Sequence, residues 1–278
     1  MAQAIWVDEL FQLELGLWAQ LQKLKGRQWI LSGDQFQFSA LFDQWKGTAV
    51  PEDTLLKSRL LHQLCGGNRI TLTQCRRSER ELFEWYASLV PGQPLRERAL
   101  PDVLREARAR FSFQGPARHN LVLSHRRRVR INAQCMQAFK PDVGARFIRA
   151  SSERGQLNAA QNLYVWVGLE LLGCSRNSKK IRNNVLYTVK EVQEAAVVVV
   201  SEGGETISLT DAQVAEMLRL SFARTYASCQ GTEFDGTLRL WDCQNRNFTH
   251  KHLYVALSLS LIHISEPTRR YAISYAVF

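Results

Sequence analysis

The chain has 278 residues, of which 45% are hydrophobic and 22% are charged, a composition that excludes a disordered chain and a disulfide miniprotein. Its 36 Lys and Arg residues outnumber its 26 Asp and Glu residues, and this positive surplus favours a polyanionic partner, nucleic acid before an anionic membrane. The longest strongly apolar run, residues 195–200, is far shorter than the roughly 20 residues of a transmembrane helix, so no membrane partner is expected. Its six cysteines form no Cys-x-x-Cys pair, which favours reduced thiols and an intracellular protein of the nucleus, the cytoplasm or a viral replication site.

Strand and helix patterns alternate over the first part of the chain. The predicted strands are residues 4–7, 29–31 and 70–72, and the predicted helices are residues 13–24, 55–64 and 79–89. Strand, helix, strand with polar loops at the strand ends is typical of a parallel α/β sheet. Gly115 and Pro116 mark the best candidate for a domain junction.

The second part of the chain contains a segment of different character. Residues 161–208 carry three β-rich runs separated by polar turns, which predicts a small β-insert. The other predicted elements of this part are strands at residues 121–124, 238–241 and 253–256 and a helix at residues 210–218 that begins with a Thr cap.

An acid pair follows the first predicted strand. Asp8 could coordinate Mg²⁺ and Glu9 could polarise an attacking water, which is how nucleotide hydrolases use two carboxylates at a strand end. The next strand end offers Asp34 and Gln37, an acid and an amide that could sense a γ-phosphate. Each pair taken alone also fits a simpler interpretation, solvated acids for the first and a capped turn for the second.

Two groups of basic residues also follow predicted strands. Arg76 and Arg77 could neutralise phosphate charge, and the cluster from His125 to Arg130, including Arg126 and Arg127, could contact a nucleic-acid backbone. The alternative for both groups is a solvated, basic helix face. None of the six histidines has the spacing of a metal site.

Five segments occur in an order that resembles superfamily-one helicases. They are Trp6-Val7-Asp8-Glu9, Leu31-Ser32-Gly33-Asp34 with Gln37, Leu72-Thr73-Gln74-Cys75-Arg76-Arg77-Ser78, Thr225 through Gln230-Gly231-Thr232-Glu233-Phe234-Asp235, and Leu253-Tyr254-Val255-Ala256-Leu257-Ser258. The β-insert and the Gln-Gly-x-Glu-Phe-Asp loop are most similar to the RecD and Pif-type branch, which moves 5′ to 3′ on single-stranded DNA. The resemblance covers about residues 4–258.

The resemblance implies an α/β fold of P-loop NTPase (RecA-like) parallel sheets. Residues 1–115 would be the rear part of a first RecA-like ATPase domain, and residues 116–258 a second RecA-like domain carrying a small SH3-like β-insert at about residues 161–208. The implied activity is ATP-dependent translocation on single-stranded DNA with duplex unwinding. ATP and Mg²⁺ are the implied cofactors, and single-stranded DNA and duplex junctions are the implied partners.

The resemblance also implies a role for each matching residue. Asp8 would coordinate Mg²⁺, Glu9 would polarise the water, Gln37 would report the γ-phosphate state and Arg77 would contact the γ-phosphate. Gly231 and Glu233 would line the nucleotide site, to which Asp34 is also assigned, and Thr225 and Ser228 would lie near the DNA backbone. Arg126 and Arg127 are nucleic-acid-binding candidates from the basic cluster itself.

Several departures from the family pattern affect these expectations. No segment resembles the phosphate-cradling Gly-x-x-x-x-Gly-Lys-Ser/Thr loop, and Leu259 stands where the family has an arginine that completes the ATP site. Ala227 and Ser228 replace a common His-Lys pair, and Asn184 replaces a glycine of the insert. We therefore expect a helicase fragment that is itself inactive. Residues 259–278 resemble an in-frame translation of a sequencing-library adapter, which predicts an artefactual tail.

Two other functions fit parts of the sequence. A non-catalytic basic module would bind single strands through the cluster from Arg126 to Arg130, with no phosphate loop upstream in the full gene. Another nucleotide hydrolase, such as a clamp-loader-like ATPase, would share the acid pair but not the Gln230 to Asp235 loop, and the order of the later segments disfavours it.

Overall fold

The computed structural model describes residues 3–24, 26–40, 43–111, 115, 117–150, 161–175, 178–260 and 263–265. The strands are β1 (Ala4–Val7), β2 (Gln28–Leu31), β3 (Gln44–Trp45), β4 (Thr48–Ala49), β5 (His119–Val122), β6 (Arg146–Ile148), β7 (Leu163–Val165), β8 (Glu170–Gly173), β9 (Leu186–Val192), β10 (Val197–Ser201), β11 (Thr206–Leu209), β12 (Leu218–Leu220), β13 (Ala223–Thr225), β14 (Thr237–Leu240) and β15 (His263–Ser265). The α-helices are α1 (Leu15–Leu21), α2 (Thr54–Lys57), α3 (Leu60–Leu64), α4 (Arg80–Ala87), α5 (Leu100–Phe111), α6 (His125–Phe139), α7 (Asp211–Met217) and α8 (His250–Ser258).

The chain divides into two compact units. Unit 1 contains residues 1–103, 230–233 and 249–262, and unit 2 contains residues 104–229, 234–248 and 263–278. Residues 230–233 and 249–258, which the sequence analysis assigns to a second domain, thus belong to the same unit as the acid pair. The predicted junction near residue 115 stays a prediction.

Unit 1 contains a two-stranded parallel sheet, in which Trp6 of β1 lies beside Ile30 of β2. The inward-facing residues of this sheet pack on a cluster that includes Leu10, Trp18 and Leu55, while Trp6 and Ile30 are exposed on the opposite face. The sequence therefore correctly predicts parallel strands here, and one face of their sheet is apolar and uncovered by the described residues.

Unit 2 contains two larger sheets. The first is parallel, with strand order β13-β5-β14-β15. The second is antiparallel, with order β11-β10-β9-β8-β12, and it forms most of the predicted β-insert and the largest hydrophobic core of the unit. Asn184, the residue that replaces a family glycine, has φ 64°, a left-handed conformation that asparagine tolerates better than most residues. The SH3-like character of the insert stays a prediction.

Two predicted strands are wrong. Residues 70–72 form no strand, and Ile70 and Leu72 are 86% and 89% exposed, because a β-prone run needs a neighbouring strand and the described residues place none beside it. Residues 253–256 lie in α8, whose first turn carries a reciprocal cap between Thr249 and His252. Residues 253–258 are all buried, so the helix shows no helical periodicity of apolar and polar residues. A short apolar run of this kind does not distinguish a strand from a buried helix.

Other differences concern element bounds. The predicted helix 13–24 is shorter in the structure, where α1 covers Leu15–Leu21 and a 3₁₀ turn (Leu10–Gln12) precedes it. The predicted helix 55–64 is interrupted at Ser58, whose backbone is extended. The predicted Thr cap of α7 is confirmed, since Thr210 and Gln213 cap each other's backbone. The predicted tail lies mainly outside the described residues; within it, Leu259 and Ser260 are buried and β15 pairs with β14. No helix among the described residues is long and apolar enough to cross a membrane.

Candidate nucleotide site

The carboxyl ends of β1 and β2 place the acid pair. Asp8 Oδ1 accepts hydrogen bonds from the backbone N–H of Glu9 at 3.0 Å and from the hydroxyl of Ser32 at 2.7 Å. Ser32 in turn accepts the indole N–H of Trp6 at 3.0 Å. These bonds fix the first carboxylate oxygen of Asp8, while the described residues donate no hydrogen bond to Oδ2.

Glu9 occupies an unusual local conformation. Its φ of 51° is left-handed, a strained conformation for a residue other than glycine that is found most often at functional positions. Burial raises the pKa of its carboxyl, and the Asp8 and Asp34 carboxylates raise it further, against a hydrogen bond from Gln12 and the charge of Arg77, which lower it. A half-buried carboxylate whose pKa is raised is suited to accept a proton from water.

The loop after β2 is held by α8. The two carboxylate oxygens of Asp34 accept the backbone N–H of Phe36 at 2.9 Å and the hydroxyl of Tyr254 at 2.7 Å. The Tyr254 ring packs edge-on against Phe36, with 6.1 Å between the ring centroids. Burial and the adjacent Asp34 carboxylate raise the pKa of Tyr254, so its hydroxyl remains a hydrogen-bond donor. Asp34 therefore anchors the loop, and its role in nucleotide binding stays a prediction.

Gln37 is buried, and its side chain contacts two other segments of unit 1. Its side-chain amide is 3.5 Å from the Ser258 hydroxyl and, through its oxygen, 3.5 Å from the amide nitrogen of Gln230. Gln230 also donates to the backbone carbonyl of Phe38 at 3.0 Å. Gln37 therefore contacts both the 230–233 loop and the end of α8.

Arg77 is placed by two segments that are distant in sequence. Its guanidinium forms an ion pair with Glu233, with a shortest N–O distance of 2.7 Å, and donates to the backbone carbonyl of Ser258 at 3.1 Å. The neighbouring Arg76 is exposed and donates to Gln74 at 3.4 Å. Gly231, two residues before Glu233, has φ 72°, the left-handed conformation in which glycine is favoured.

The remaining predicted residues belong to unit 2. Thr225 is buried, and its hydroxyl donates to that of Ser228 at 2.9 Å, so these two residues hydrogen-bond each other. Arg126 is exposed at the start of α6. Arg127 lies 3.7 Å from an Asp242 carboxylate oxygen and 5.1 Å above the Trp241 ring. The DNA-binding roles of these four residues stay predictions.

Unit 1 therefore brings together the seven predicted residues Asp8, Glu9, Asp34, Gln37, Arg77, Gly231 and Glu233. Sequence reasoning assigned no role to Ser32, Gln230, Tyr254 or Ser258, although all four lie within the segments that resemble the helicase pattern. The contact of Tyr254 with Asp34 was not predicted because the segment of Tyr254 was predicted as a strand. The available signal was Thr249, a residue type that favours helix N-caps, just before this segment.

Comparison with known proteins shows the fold. No family model and no curated protein sequence matches the chain. Solved structures do match, among them a Pif1 helicase studied as two coordinating copies at forked double-stranded DNA (16% identity, 96% of this chain and 69% of that chain, TM-score 0.61). A Bacteroides Pif1 bound to single-stranded DNA matches with 18% identity over 96% of this chain and 70% of that chain, at TM-score 0.61. The Bacteroides enzyme with ADP-AlF₃ and single-stranded DNA matches with the same identity and coverage at TM-score 0.57.

The predicted fold class is confirmed at this level: the chain has a mixed α/β architecture with parallel sheets, and its fold is similar to that of the solved Pif1 structures.

Proposed function

We propose that this chain is part of an ATP-dependent DNA helicase in which ATP hydrolysis drives translocation along single-stranded DNA and duplex unwinding, in the 5′ to 3′ direction. The observation that carries the proposal is the convergence in unit 1 of Glu9, Gln37, Arg77 and Glu233, which come from segments up to 224 residues apart and match the order of the helicase segments. The bound DNA and the ADP-AlF₃ named for the similar structures support the same ligands here.

The carboxylates and the guanidinium of the site are compatible with binding of Mg²⁺ and a nucleoside triphosphate. Mg²⁺ in nucleotide sites takes one or two carboxylates and completes its shell with water and phosphate oxygens. Asp8 would supply that carboxylate through Oδ2, and the described residues contain no group of three or more His, Cys, Asp or Glu side chains able to hold a metal by themselves. Glu9 would accept the proton of the attacking water, and Arg77 would neutralise charge on the terminal phosphate.

We propose further that the chain of 278 residues does not hydrolyse ATP by itself. Its sequence contains no Gly-x-x-x-x-Gly-Lys-Ser/Thr loop to hold the phosphates, and Leu259 occupies the place of a second arginine. The exposed apolar face at Trp6 and Ile30 supports a fragment, because in a complete parallel α/β domain both faces of such a sheet are covered.

The test compares the chain with a version extended by its own upstream coding sequence. We expect no ATP turnover from the chain and DNA-stimulated turnover from the extended protein, abolished by Glu9→Gln and reduced at least about 100-fold by Arg77→Ala. Arg76→Ala is the matched control, since this adjacent arginine does not contact Glu233 or Ser258, and it should leave turnover unchanged. Robust turnover by the 278-residue chain, abolished by Glu9→Gln, would refute its inactivity.

The alternative function is a non-catalytic basic module that only holds nucleic acid. The positive surplus of the chain and the exposed Arg126 and Arg130 on α6 favour it. It predicts salt-dependent binding of single strands and an upstream coding sequence without a phosphate loop. An extended protein that binds DNA but never hydrolyses ATP would support this alternative over the helicase.

A further inference from the structure

Unit 2 carries a surface of aromatic side chains that none of the helicase segments includes. We call it the aromatic patch; its members are Phe139, Phe147, Tyr164, Trp166 and Phe222. They come from the end of α6, from β6 and β7, and from the turn before β13, so the fold assembles the patch from four places in the sequence.

The patch rests on the core and also extends beyond it. Tyr164, Trp166 and Phe222 pack against the main hydrophobic cluster of unit 2. Phe139 and Phe147 are 40% and 49% exposed. Core packing accounts for the first three rings and leaves the exposure of the other two unexplained, since an isolated domain gains nothing by presenting clustered phenyl rings to water.

The rings have a distinctive geometry. Phe139 stacks on Phe222 with an interplanar angle of 22°, and Phe222 stacks on Trp166 with an angle of 24°. The other aromatic pairs of the described residues are edge-on or tilted, for example Tyr86 and Tyr254 at 82° and His119 and Phe234 at 45°. A nearly parallel row that ends in a half-exposed ring can be continued by another flat ring, which is the way single-stranded nucleic acids bind to aromatic side chains.

Cations flank the patch. The Lys140 ammonium lies 5.1 Å above the Tyr164 ring, and Arg149 is exposed two residues after Phe147, beyond the end of β6. The nearby Asp142 is also exposed, so the flank is mixed with a positive surplus. Backbone phosphates between stacked bases could form ionic contacts with these two cations.

From this geometry we infer that the aromatic patch is a stacking site for the bases of single-stranded DNA. The inference rests on the proposed function, because it assigns a place on unit 2 to the DNA that a helicase would move along. Phe139 forms the outer ring on which a base stacks, Phe147 with Tyr164 supports a neighbouring base, and Lys140 with Arg149 contacts the backbone.

The test measures equilibrium binding of the full chain to a fluorescent oligothymidylate of about 10 nucleotides and to an abasic strand of the same length. We expect the base-containing strand to bind more tightly. Phe139→Leu keeps an apolar side chain but removes the ring, and should raise the Kd for oligothymidylate about 5-fold or more while leaving the Kd for the abasic strand unchanged. Phe139→Trp should bind as tightly as the unmodified chain.

The control variant is Trp45→Leu, which removes a ring of similar exposure, 50%, from the β3–β4 hairpin of unit 1. It should not change the Kd. Circular dichroism of each variant verifies the fold, which half-exposed positions are not expected to disturb.

Three results would overturn the inference and leave the proposed function standing: equal affinity for the two strands, an unchanged Kd for Phe139→Leu, or an equal loss for Trp45→Leu. Dissociation of a dimer by Phe139→Leu with no change in DNA binding would instead identify the patch as a contact between copies of the chain. Failure of the unmodified chain to bind either strand would count against the proposed function as well.

Discussion

The hydrogen bond between Tyr254 and Asp34 holds the loop after β2 against α8, and Tyr254→Phe tests its contribution. The substitution removes the hydroxyl that lies 2.7 Å from the carboxylate, while the ring keeps its packing on Phe36 and Tyr86. Phe36 still donates its backbone N–H to the other oxygen of Asp34. The variant therefore removes one bond and little else.

The expected magnitude follows from the charge and burial of the pair. A hydrogen bond to a charged group contributes about 1.5–3 kcal/mol, and the lower value applies because the half-buried Asp34 regains some water when the hydroxyl is lost. We expect the free energy of unfolding to fall by about 1.5 kcal/mol, which corresponds to about tenfold faster amide exchange where exchange reports opening of this loop.

The assay is urea unfolding together with amide hydrogen exchange of the peptide that contains Asp34 and Phe36. A double-mutant cycle with Asp34→Asn isolates the coupling of the pair. Tyr86→Phe is the control, because the Tyr86 hydroxyl faces the Cys75 sulfur at 3.6 Å, a neutral and weaker partner. The reasoning is refuted if Tyr254→Phe costs no more than Tyr86→Phe, or if the cycle gives no coupling.

Three further predictions concern stability. Glu9→Gln should stabilise the chain at pH 7, because the folded pKa of Glu9 is raised above its ordinary 4.5. The destabilisation caused by the Glu9 charge is absent below pH 4.5 and grows as the pH rises through the folded pKa. Melting curves should therefore show a higher melting temperature for Glu9→Gln at pH 7 and no difference at pH 4. Gly173→Ala should destabilise unit 2 by about 3 kcal/mol, because the added Cβ would lie 2.0 Å from the Arg182 carbonyl oxygen. Gly203→Ala, with 3.7 Å to its nearest neighbour, should be tolerated, and equal urea midpoints for the two variants would contradict this. Thr210→Ala should cost about 1 kcal/mol through loss of the α7 cap, and an unchanged urea midpoint would show that the cap contributes nothing.

The sequence predicts best the features that depend on neighbours in the chain. The strands around Trp6 and Ile30 and the Thr210 cap follow from local alternation and from a hydroxyl placed before a helix. The acids follow the ends of two predicted strands, and Asp8 and Asp34 do lie close enough to Glu9 to raise the pKa of its carboxyl.

Features that depend on distant contacts were not predictable. Tyr254 lies on a helix whose burial on nearly every side erases the period that would identify it. The run at Ile70 has β-prone residues, but whether they form a strand depends on a partner that local sequence cannot reveal. Hydrogen bonds such as that of Gln230 to Phe38, 192 residues away, follow only from the tertiary fold.

The division of the chain between its two units has a consequence for the order of events during synthesis. The polypeptide passes from one unit to the other at residues 103/104, 229/230, 233/234, 248/249 and 262/263, so the partners of Gln37 and Asp34 are made more than 190 residues after them. The first hundred residues leave the ribosome before α8 is made, and they lack its contacts while the antiparallel sheet is translated. We expect the antiparallel sheet of unit 2, whose strands lie within residues 170–220, to fold before unit 1, whose contacts with α8 form only after residue 258 has emerged.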